Sequence, residues 1–320
     1  MLSLGLFLFL FSFVITFLLF PVLIPRLREA GILGKDMHKL PPIQLPEMGG
    51  LGVVSGFCAG IIIAVGAKIF FNDSFSVDVV SLLAVLASVL MISLIGVFDD
   101  LFGVKKWIKA LLPAFAALPL MAIKAGHTVM KIPFWGPVDF GLVYSFLLIP
   151  LGVTGAANAI NMLAGFNGIE LGMSAAAIFA LAAIAYFAGS MTSFVILIVA
   201  LGAIFAALRF NWYPAKVLIG DVGTLSIGAI IASSVIIGNF ETAGLIIMAP
   251  YFVDFIFKAK NGFPKSFGIY NDGKLHCPCS GPVGLGQWIM KVTGGITERR
   301  LVLLLILIEA LFGGAAILVY

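Results

Sequence analysis

Residues 2–24 read LSLGLFLFLFSFVITFLLFPVLI, a continuous apolar stretch without a charged side chain. About 20 helical residues cross the hydrocarbon core of a bilayer, which is roughly 30 Å thick. A signal peptide would have a shorter apolar part, a basic segment before it and a small-residue cleavage site after it. We therefore expect this stretch to remain in the protein as its first membrane-spanning helix.

The rest of the chain has the same character. Of its 320 residues, 62% are hydrophobic and 11% are charged, and the mean hydropathy is +1.17, which excludes an ordinary soluble domain. The apolar stretches lack the alternation of a membrane β-barrel. They predict an all-α, polytopic membrane protein that forms a single domain over residues 1–320. Ten spans are expected, near residues 2–24, 51–71, 77–98, 110–125, 140–157, 171–189, 192–209, 223–240, 242–257 and 301–320.

The distribution of Lys and Arg predicts which side each connection faces. All but three of the 19 basic residues lie in connections that follow odd-numbered spans, and the exceptions are Lys68, Lys124 and Lys131. By the positive-inside rule, the odd connections face the cytoplasm and both termini face outside. The net charge of +4 reflects this sidedness and gives no reason to expect nucleic-acid binding. The expected cytoplasmic loops are about residues 25–50, 99–109, 158–170, 210–222 and 258–300.

Nearly every unusual polar cluster falls on the expected cytoplasmic side, and the connections on the other side are short or plain. Five polar segments at one face of a helical bundle predict an active site at the boundary between membrane and cytoplasm. The segments are GKDMHKLPPIQLPEMGG (34–50), GVFDDLFGVKKWIK (96–109), NAINMLAGFNGIE (158–170), KVLIGDVGTLSIG (216–228) and NDGKLHCPCSGP (271–282).

The acids of the second and fourth segments each have a functional and a structural interpretation. Asp99 and Asp100 end a strongly apolar span, where ionisable groups are costly and usually functional. Alternatively, lysines one or two turns later neutralise them. Asp221 stands between glycines, which leave room for a metal or a phosphate to approach, but an acid before an apolar helix also serves as an N-cap.

The third segment places three amides between two apolar stretches. Asn158 and Asn161 are three residues apart and share a helix face, and AGFNG then breaks the helix. Hard cations such as Mg²⁺ take oxygen ligands from carboxylates, amides and substrate phosphates. With Asn167, these amides suit a pocket that coordinates Mg²⁺ and hydrogen-bonds a nucleotide. The alternative is that they cap helix ends or form bonds between helices.

The first and last cytoplasmic loops give weaker signals. Asp36 and Glu47 either belong to the site or are solvated partners of nearby lysines. His276 with Cys277 and Cys279 falls short of the four ligands of a zinc site. Three cysteines in the whole chain are too few for a disulfide framework.

In their order and in their residues, these motifs resemble those of the polyprenyl-phosphate N-acetylhexosamine-1-phosphate transferases, over about residues 31–285. The shared features are P-E-x-G-G after the first span, the Asp pair with a trailing lysine, the Asn-rich turn and the Gly-Asp motif. Ala164 stands where bacterial relatives have Asp, which favours the archaeal and eukaryotic dolichyl-phosphate GlcNAc-1-phosphotransferase branch. GDVGTLSIG is closer to the bacterial form. This mixture indicates an archaeal protein of the cytoplasmic membrane; a eukaryotic one would lie in the endoplasmic reticulum.

The resemblance implies transfer of N-acetylhexosamine-1-phosphate, in this branch GlcNAc-1-phosphate, from a UDP-sugar to polyprenyl or dolichyl phosphate in the lipid bilayer, with release of UMP. It implies Mg²⁺ as the cofactor, with Mn²⁺ as a substitute, and it is compatible with a homodimer. The implied residues are Asp99, Asp100, Lys109 and Asp221 as catalytic groups, Asn161 and Asp221 as metal ligands, and Asn158, Gly165, Asn167, Gly168, Glu47, Lys274 and His276 as substrate-binding groups.

Within that set, the resemblance assigns Lys109 to the lipid phosphate and Asn167, with its glycine neighbours, to uridine. The last cytoplasmic loop departs from the family. Eukaryotic relatives have arginines there and bacterial relatives have histidines, whereas this chain has HCPCSGP. His276, helped by Lys274, is the expected substitute.

Two alternatives stay open at this point. The same chemistry could act on the phospho-MurNAc-pentapeptide donor of peptidoglycan synthesis, because the sugar is recognised by the divergent loop. A secondary transporter also has broken helices with polar groups. It should show repeat-related halves and charges in mid-span, whereas here the charges gather at one interface and the sequence shows no repeat.

Overall fold

The computed structural model describes residues 2–39, 41–71, 76–132 and 136–320, so that Leu40 of the expected loop 25–50 lies outside the described residues. A π-helical turn, Tyr144–Leu148, leads into the seventh helix. The helices are α1 (Leu2–Glu29), α2 (Gly50–Phe70), α3 (Val79–Phe102), α4 (Lys106–Leu111), α5 (Pro113–Ala116), α6 (Leu118–Ala122), α7 (Ile149–Leu163), α8 (Ile169–Phe187), α9 (Met191–Asn211), α10 (Gly220–Gly238), α11 (Glu241–Ile247), α12 (Ala249–Lys260), α13 (Leu285–Thr293) and α14 (Glu298–Val319).

In the described residues, three small antiparallel hairpins lie between helices, and the all-α expectation did not include them. They pair β1 (Leu33–Asp36) with β2 (Ile43–Pro46), β3 (Val129–Ile132) with β4 (Gly136–Asp139), and β5 (Ile269–Asn271) with β6 (Lys274–His276). The fold is otherwise helical, as predicted. The expected loop 158–170 starts too early, because α7 continues to Leu163 and contains Asn158 and Asn161.

Fewer of the described helices are long and apolar enough to cross a membrane than the ten spans that were predicted. In the described part of the chain, eight helices are long and apolar enough to cross a membrane, and a ninth span results if α11 and α12, bent by 56°, count as one. The predicted span 110–125 consists of α4, α5 and α6. Pro113 and Pro119 each lie in the first turn of a short helix, the position where a proline costs no hydrogen bond.

This broken segment still runs from one end of α10 to the other. At one end, Lys109 in α4 pairs with Asp221 in the first turn of α10. At the other end, the His127 backbone N–H donates to Asn239 Oδ1, 2.5 Å away, and Asn239 is the C-cap of α10. The 19 residues of α10 extend about 28 Å. The segment therefore covers the same height as a full span.

Helix α10 lies at the centre of the bundle and packs against α2, α3, α7 and α9. Most of its residues are buried, whereas most of α1 and α14 faces outward. Glycines bring the backbones together: Gly50 contacts Gly223, Gly96 contacts Val222, and Gly228 lies on the backbone of α7. A side chain at these positions would meet backbone atoms. The close packing sets the position of Asp221 relative to α3 and α7.

The end of β2 and the residues after it form backbone hydrogen bonds with the segment that precedes α10. The Leu218 N–H donates to the Pro46 carbonyl at 2.8 Å, and the Gly49 and Gly50 N–H groups donate to the carbonyls of Leu218 and Ile219 at 2.9 and 2.8 Å. These bonds hold the P-E-x-G-G stretch next to the Gly-Asp motif. They place Glu47 beside the start of α10.

Candidate active site

A lysine surrounded by carboxylates forms the centre of the site. Lys109 Nζ lies 2.5 Å from Asp99 Oδ2 and also pairs with Asp221 Oδ2. The carboxylates of Asp99 and Asp221 on either side of Lys109 favour its charged form. The ammonium therefore stays charged at neutral pH. It joins the end of α3, the short helix α4 and the start of α10.

Asp100 holds the N-terminus of α10. Its two oxygens accept from the backbone N–H groups of Asp221 and Val222, at 2.9 and 3.1 Å. The first N–H groups of a helix have no partner within the helix, and a negative charge there is favourable. Gly220 has φ +71°, and a Cβ there would lie 2.6 Å from Asp100 Oδ2. Only glycine allows this approach without strain.

The structural interpretation of Asp221 as an N-cap is wrong. The first turn of α10 has no side-chain cap of its own, and Asp100 supplies the capping carboxylate from α3. Asp221 is free to pair with Lys109. For Asp99, part of the structural interpretation holds, because one of the following lysines, Lys109, neutralises it. Its other oxygen accepts from the Val104 N–H at 2.7 Å and fixes the turn into α4.

The site carries more acid than base. Burial, and next the neighbouring Asp100, raise the pKa of the half-buried Glu47, while Lys109 opposes that shift. Four carboxylates, those of Glu47 and the three aspartates, thus share one lysine. Such an excess of oxygen ligands and negative charge suits a divalent cation.

The two helical asparagines have different surroundings. Asn158 Nδ2 donates to the carbonyls of Ala110 and Thr154, at 3.0 and 2.9 Å, and so holds the end of α4 on α7. This favours the structural interpretation of Asn158. Among the described residues, none forms a hydrogen bond with the half-buried Asn161 amide. Its oxygen remains available as a ligand.

Helix packing indicates that Asn161 and Asp221 lie toward the same end of the helix pair α7 and α10. Gly228 of α10 lies against Ala157 of α7. The segments that precede α7 and follow α10 also meet, since Gly126 contacts both Tyr144 and Asn239, so the two helices are antiparallel. One turn along α7 from Ala157 is Asn161, on the same face. The Asn161 amide therefore lies on the side of α7 that packs against α10.

A second, buried cluster contains Asn167. The Asn167 backbone N–H and Nδ2 both donate to Glu298 Oε1 at 2.8 Å, and Nδ2 also donates to Asp36 Oδ2 at 2.9 Å. Lys39 Nζ lies 2.7 Å from Glu298 Oε2 and 3.1 Å from Asp36 Oδ2. The sequence left open whether Asp36 belongs to the site or is a solvated partner of a lysine; in the structure it pairs with Lys39, but Asp36 is buried. The cluster joins the first hairpin, the Asn-rich turn and α14.

Glu298 was missed because an acid in the first turn of an apolar helix normally indicates only a favourable dipole contact. Asp254 and Lys258 form a further buried link. They pair at 2.7 Å, Asp254 accepts from the Leu285 N–H at 2.7 Å, and Lys258 donates to the Met162 carbonyl at the end of α7. The i, i+4 spacing of an acid and a lysine was the available signal.

The glycines of the Asn-rich turn have backbone conformations that other residues avoid. Gly165 has φ +130° and Gly168 has φ +86°. The Gly165 N–H donates to Glu170 at 2.9 Å, and Gly168 packs against the Trp212 ring. Gly165 is exposed, so the turn offers an accessible backbone surface beside the buried Asn167.

The structure does not bring Lys274 and His276 into contact with the Lys109 cluster in the described part of the chain. Lys274 is exposed on β6, and the His276 ring lies against Gly295. Leu275, between them, forms two backbone hydrogen bonds with Ile296 at 2.7 and 3.0 Å. The hairpin is therefore attached to the chain before α14.

Comparison with known proteins agrees with the motifs. The family model described as glycosyl transferase family 4 matches residues 82–239. A putative UDP-N-acetylglucosamine–dolichyl-phosphate N-acetylglucosaminephosphotransferase from Saccharolobus solfataricus is 37% identical over 316 residues, 97% of this chain and 94% of that protein. The Dictyostelium discoideum protein named UDP-N-acetylglucosamine–dolichyl-phosphate N-acetylglucosaminephosphotransferase is 25% identical over 355 residues, 94% and 85% of the two chains.

A bacterial relative is more distant. The phospho-N-acetylmuramoyl-pentapeptide-transferase of Halalkalibacterium halodurans is 29% identical over 256 residues, 76% of this chain and 77% of that protein. The resemblance drawn from the Asp pair, the Asn-rich turn and the Gly-Asp motif is confirmed. The chain belongs to glycosyl transferase family 4.

Proposed function

We propose that this protein transfers GlcNAc-1-phosphate from UDP-GlcNAc to a polyprenyl or dolichyl phosphate, which gives a lipid-linked pyrophosphoryl sugar and UMP. The observation that carries the proposal is the position of Lys109, half-buried between Asp99 and Asp221. A cation held among oxygen ligands is suited to bringing two phosphate groups together. The similarity to transferases with these substrates in their names extends over nearly the whole chain.

The proposed step is an in-line displacement at phosphorus. An oxygen of the lipid phosphate forms a bond to the β-phosphorus of the UDP-sugar, and the bond from that phosphorus to the UMP oxygen breaks, with its electron pair leaving on UMP. Both reactants are anions, so positioning and charge neutralisation are the main contributions to catalysis. A phosphate monoester with a second pKa near 6 is mostly ionised at neutral pH. The attacking group therefore needs no general base.

Different residues of this chain have different roles in the proposed step. Lys109 exchanges a carboxylate partner for the lipid phosphate and neutralises it. Asp99 orients the ammonium through the 2.5 Å pair, and Asp100 holds α10 so that Asp221 faces the site. Asp221 and Asn161 fit Mg²⁺, or Mn²⁺ in its place, because they offer a carboxylate and an unpaired amide oxygen. Such an ion would neutralise the pyrophosphate of the donor.

The site lies at one end of the helices, as a reaction between a soluble and a lipid substrate requires. We place that end on the cytoplasmic face, because the basic residues gather there. The broken segment α4–α6 then serves as a tenth crossing, and both termini face outside. The membrane is the cytoplasmic membrane of an archaeon, in agreement with the archaeal relative of 37% identity.

A phospho-MurNAc-pentapeptide donor is the second candidate. The similarity to the bacterial transferase favours it, but the identity is lower than that to the archaeal relative, and the match covers less of the chain than either dolichyl-phosphate relative. Ala164, in place of the bacterial Asp, also favours GlcNAc. A transporter is disfavoured because most charged side chains lie in the connections predicted to face one side of the membrane, although Glu309 is buried in the middle of α14.

The test is release of UMP by the purified protein with Mg²⁺ and polyprenyl phosphate, with UDP-GlcNAc, UDP-GalNAc and UDP-MurNAc-pentapeptide compared as donors. We expect UMP from UDP-GlcNAc in preference to the other two. Preference for the pentapeptide donor would replace GlcNAc in the proposal. Failure with all three donors would refute the transferase activity.

A further inference from the structure

The orientation of the Asn167 amide is determined by its neighbours. Carboxylates only accept hydrogen bonds, so Nδ2 faces Asp36 Oδ2 and Glu298 Oε1, at 2.9 and 2.8 Å. The amide cannot rotate by half a turn, since Oδ1 would then face both carboxylates. In the described structure, Oδ1 is buried and has no hydrogen-bond partner. Asn167 therefore offers an acceptor, and only an acceptor, to any further group.

Glu298 also holds the backbone of the turn. Its Oε1 accepts from the Asn167 N–H at 2.8 Å as well as from the side chain. Phe166, the preceding residue, stacks on the His38 ring at a centroid distance of 4.4 Å. The residue after Asn167 is Gly168, which packs against Trp212. The position of Asn167 is thus fixed by the packing of the residues before and after it and by the hydrogen bonds of its own backbone and side chain.

Lys39 pairs with both carboxylates and keeps Asp36 ionised. Burial alone would lower the pKa of Lys39, but the pair with Glu298 outweighs it and the pKa is raised. For Asp36, burial alone would raise the pKa, but Asn167 and Lys39 together lower it. A protonated carboxyl group could donate a hydrogen bond and release the amide. The lysine therefore preserves the acceptor-only arrangement.

The same group of side chains does not need a metal ion. Ligand atoms of Asp36, His38 and Glu298 all lie within 4.8 Å of one another, which is the spacing of a cation site. The ammonium of Lys39 already lies within 3.1 Å of an oxygen of each carboxylate. An internal cation thus balances these acids.

We propose that Glu298 and Asp36, supported by Lys39, are positioning residues that select the uracil base of the donor by fixing Asn167 Oδ1 as an acceptor. The proposal rests on the proposed function, whose donor carries a uracil base. Uracil carries an N–H at position 3, which can donate to Oδ1. Cytosine has a bare acceptor at that position, so two lone pairs would face each other. A polar site that leaves its own group unpaired rejects the wrong ligand strongly.

The test compares Glu298→Gln with the wild-type protein. A glutamine at position 298 can donate as well as accept, so the variant removes one of the two carboxylates that oppose rotation of the Asn167 amide. We expect the KM for UDP-GlcNAc to rise about tenfold with little change in kcat, and the preference for UMP over CMP as inhibitors to fall about tenfold, in line with the loss of one hydrogen bond to a polar group. Glu298→Asp, which keeps an acceptor-only side chain, should restore part of the preference.

The matched control is Glu29→Gln, because Glu29 also pairs with a basic residue, at 3.3 Å, but on the exposed surface. It should change neither KM nor the UMP-to-CMP ratio. If Glu298→Gln does not fold, Asp36→Asn provides the same test, since it leaves the pair of Lys39 and Glu298 intact.

The outcomes separate the two proposals. A wild-type protein that releases no UMP from any UDP-N-acetylhexosamine contradicts the proposed function. A wild-type protein that is active but inhibited equally by UMP and CMP contradicts this inference alone. The same holds if the folded variant keeps the wild-type ratio.

Discussion

Lys109 is the residue on which the charges of the site converge. Replacing it with methionine keeps much of its length and removes the ammonium between Asp99 and Asp221. We expect kcat to fall by about 10²–10³, the usual effect of losing one preorganised electrostatic group. UMP release measures this directly.

Lys106 provides the control for that variant. It lies in the same short helix but is exposed, so Lys106→Gln should retain nearly full activity. Equal losses in the two variants would show that general positive charge near α4 matters, and not the position of Lys109.

The two asparagines of α7 should separate binding from structure. Asn161→Ala, like Asp221→Ala, should abolish turnover and weaken the dependence on Mg²⁺, because each removes an expected metal ligand. Asn158→Ala should instead lower the free energy of unfolding by about 1 kcal/mol, the net value of a hydrogen bond, and leave the Mg²⁺ dependence unchanged. A normal Mg²⁺ titration of Asn161→Ala or Asp221→Ala would refute the metal assignment.

At the scale of elements, the crossing of α2 and α10 depends on two glycines in contact. A methyl group at Gly50 would meet the backbone of Gly223, so Gly50→Ala should push α10 away and lower both stability and activity. The thermal unfolding temperature in detergent measures the first effect. UMP release measures the second.

Gly66 tests whether this effect is specific to the crossing. It lies in the same helix, and nothing is within 4 Å of an added Cβ. Gly66→Ala should be neutral or slightly stabilising, because alanine favours helix over glycine by up to about 1 kcal/mol. A similar loss in both variants would contradict the packing argument.

The sequence predicted the elements well where one property decides them. Long apolar stretches predict α1, α2 and α3, and the glycines of AGFNG mark the end of α7. The sequence predicted α4–α6 as one helix, because the mean hydropathy of the segment does not show that two prolines divide it. The roles of the acids were harder to predict: Asp100 caps a helix that begins more than a hundred residues later, and Glu298 reaches Asn167 across the bundle. Such contacts depend on tertiary packing, which sequence spacing does not contain.

At the scale of the whole molecule, the account predicts which face carries the site. Cys279 is exposed in the loop that follows α12, and Asp139 is exposed in the hairpin of β3 and β4. In a background with Cys58 and Cys277 replaced by serine, a membrane-impermeant maleimide should label Cys279 only in inverted vesicles. Asp139→Cys in a protein without other cysteines should be labelled only in right-side-out vesicles. Labelling of both from one side would refute the predicted topology.

The central claim is that the sugar moves together with its phosphate, and the fate of the β-phosphorus of UDP-GlcNAc tests it most directly. Donor labelled at that atom is incubated with the purified protein, Mg²⁺ and polyprenyl phosphate, and the products are separated into organic and aqueous phases. The account predicts that the label enters the lipid phase while unlabelled UMP appears in water, and that Lys109→Met slows both by about 10²–10³. Label that remains in water as UDP while the sugar enters the lipid would show transfer of the sugar alone and would contradict the account.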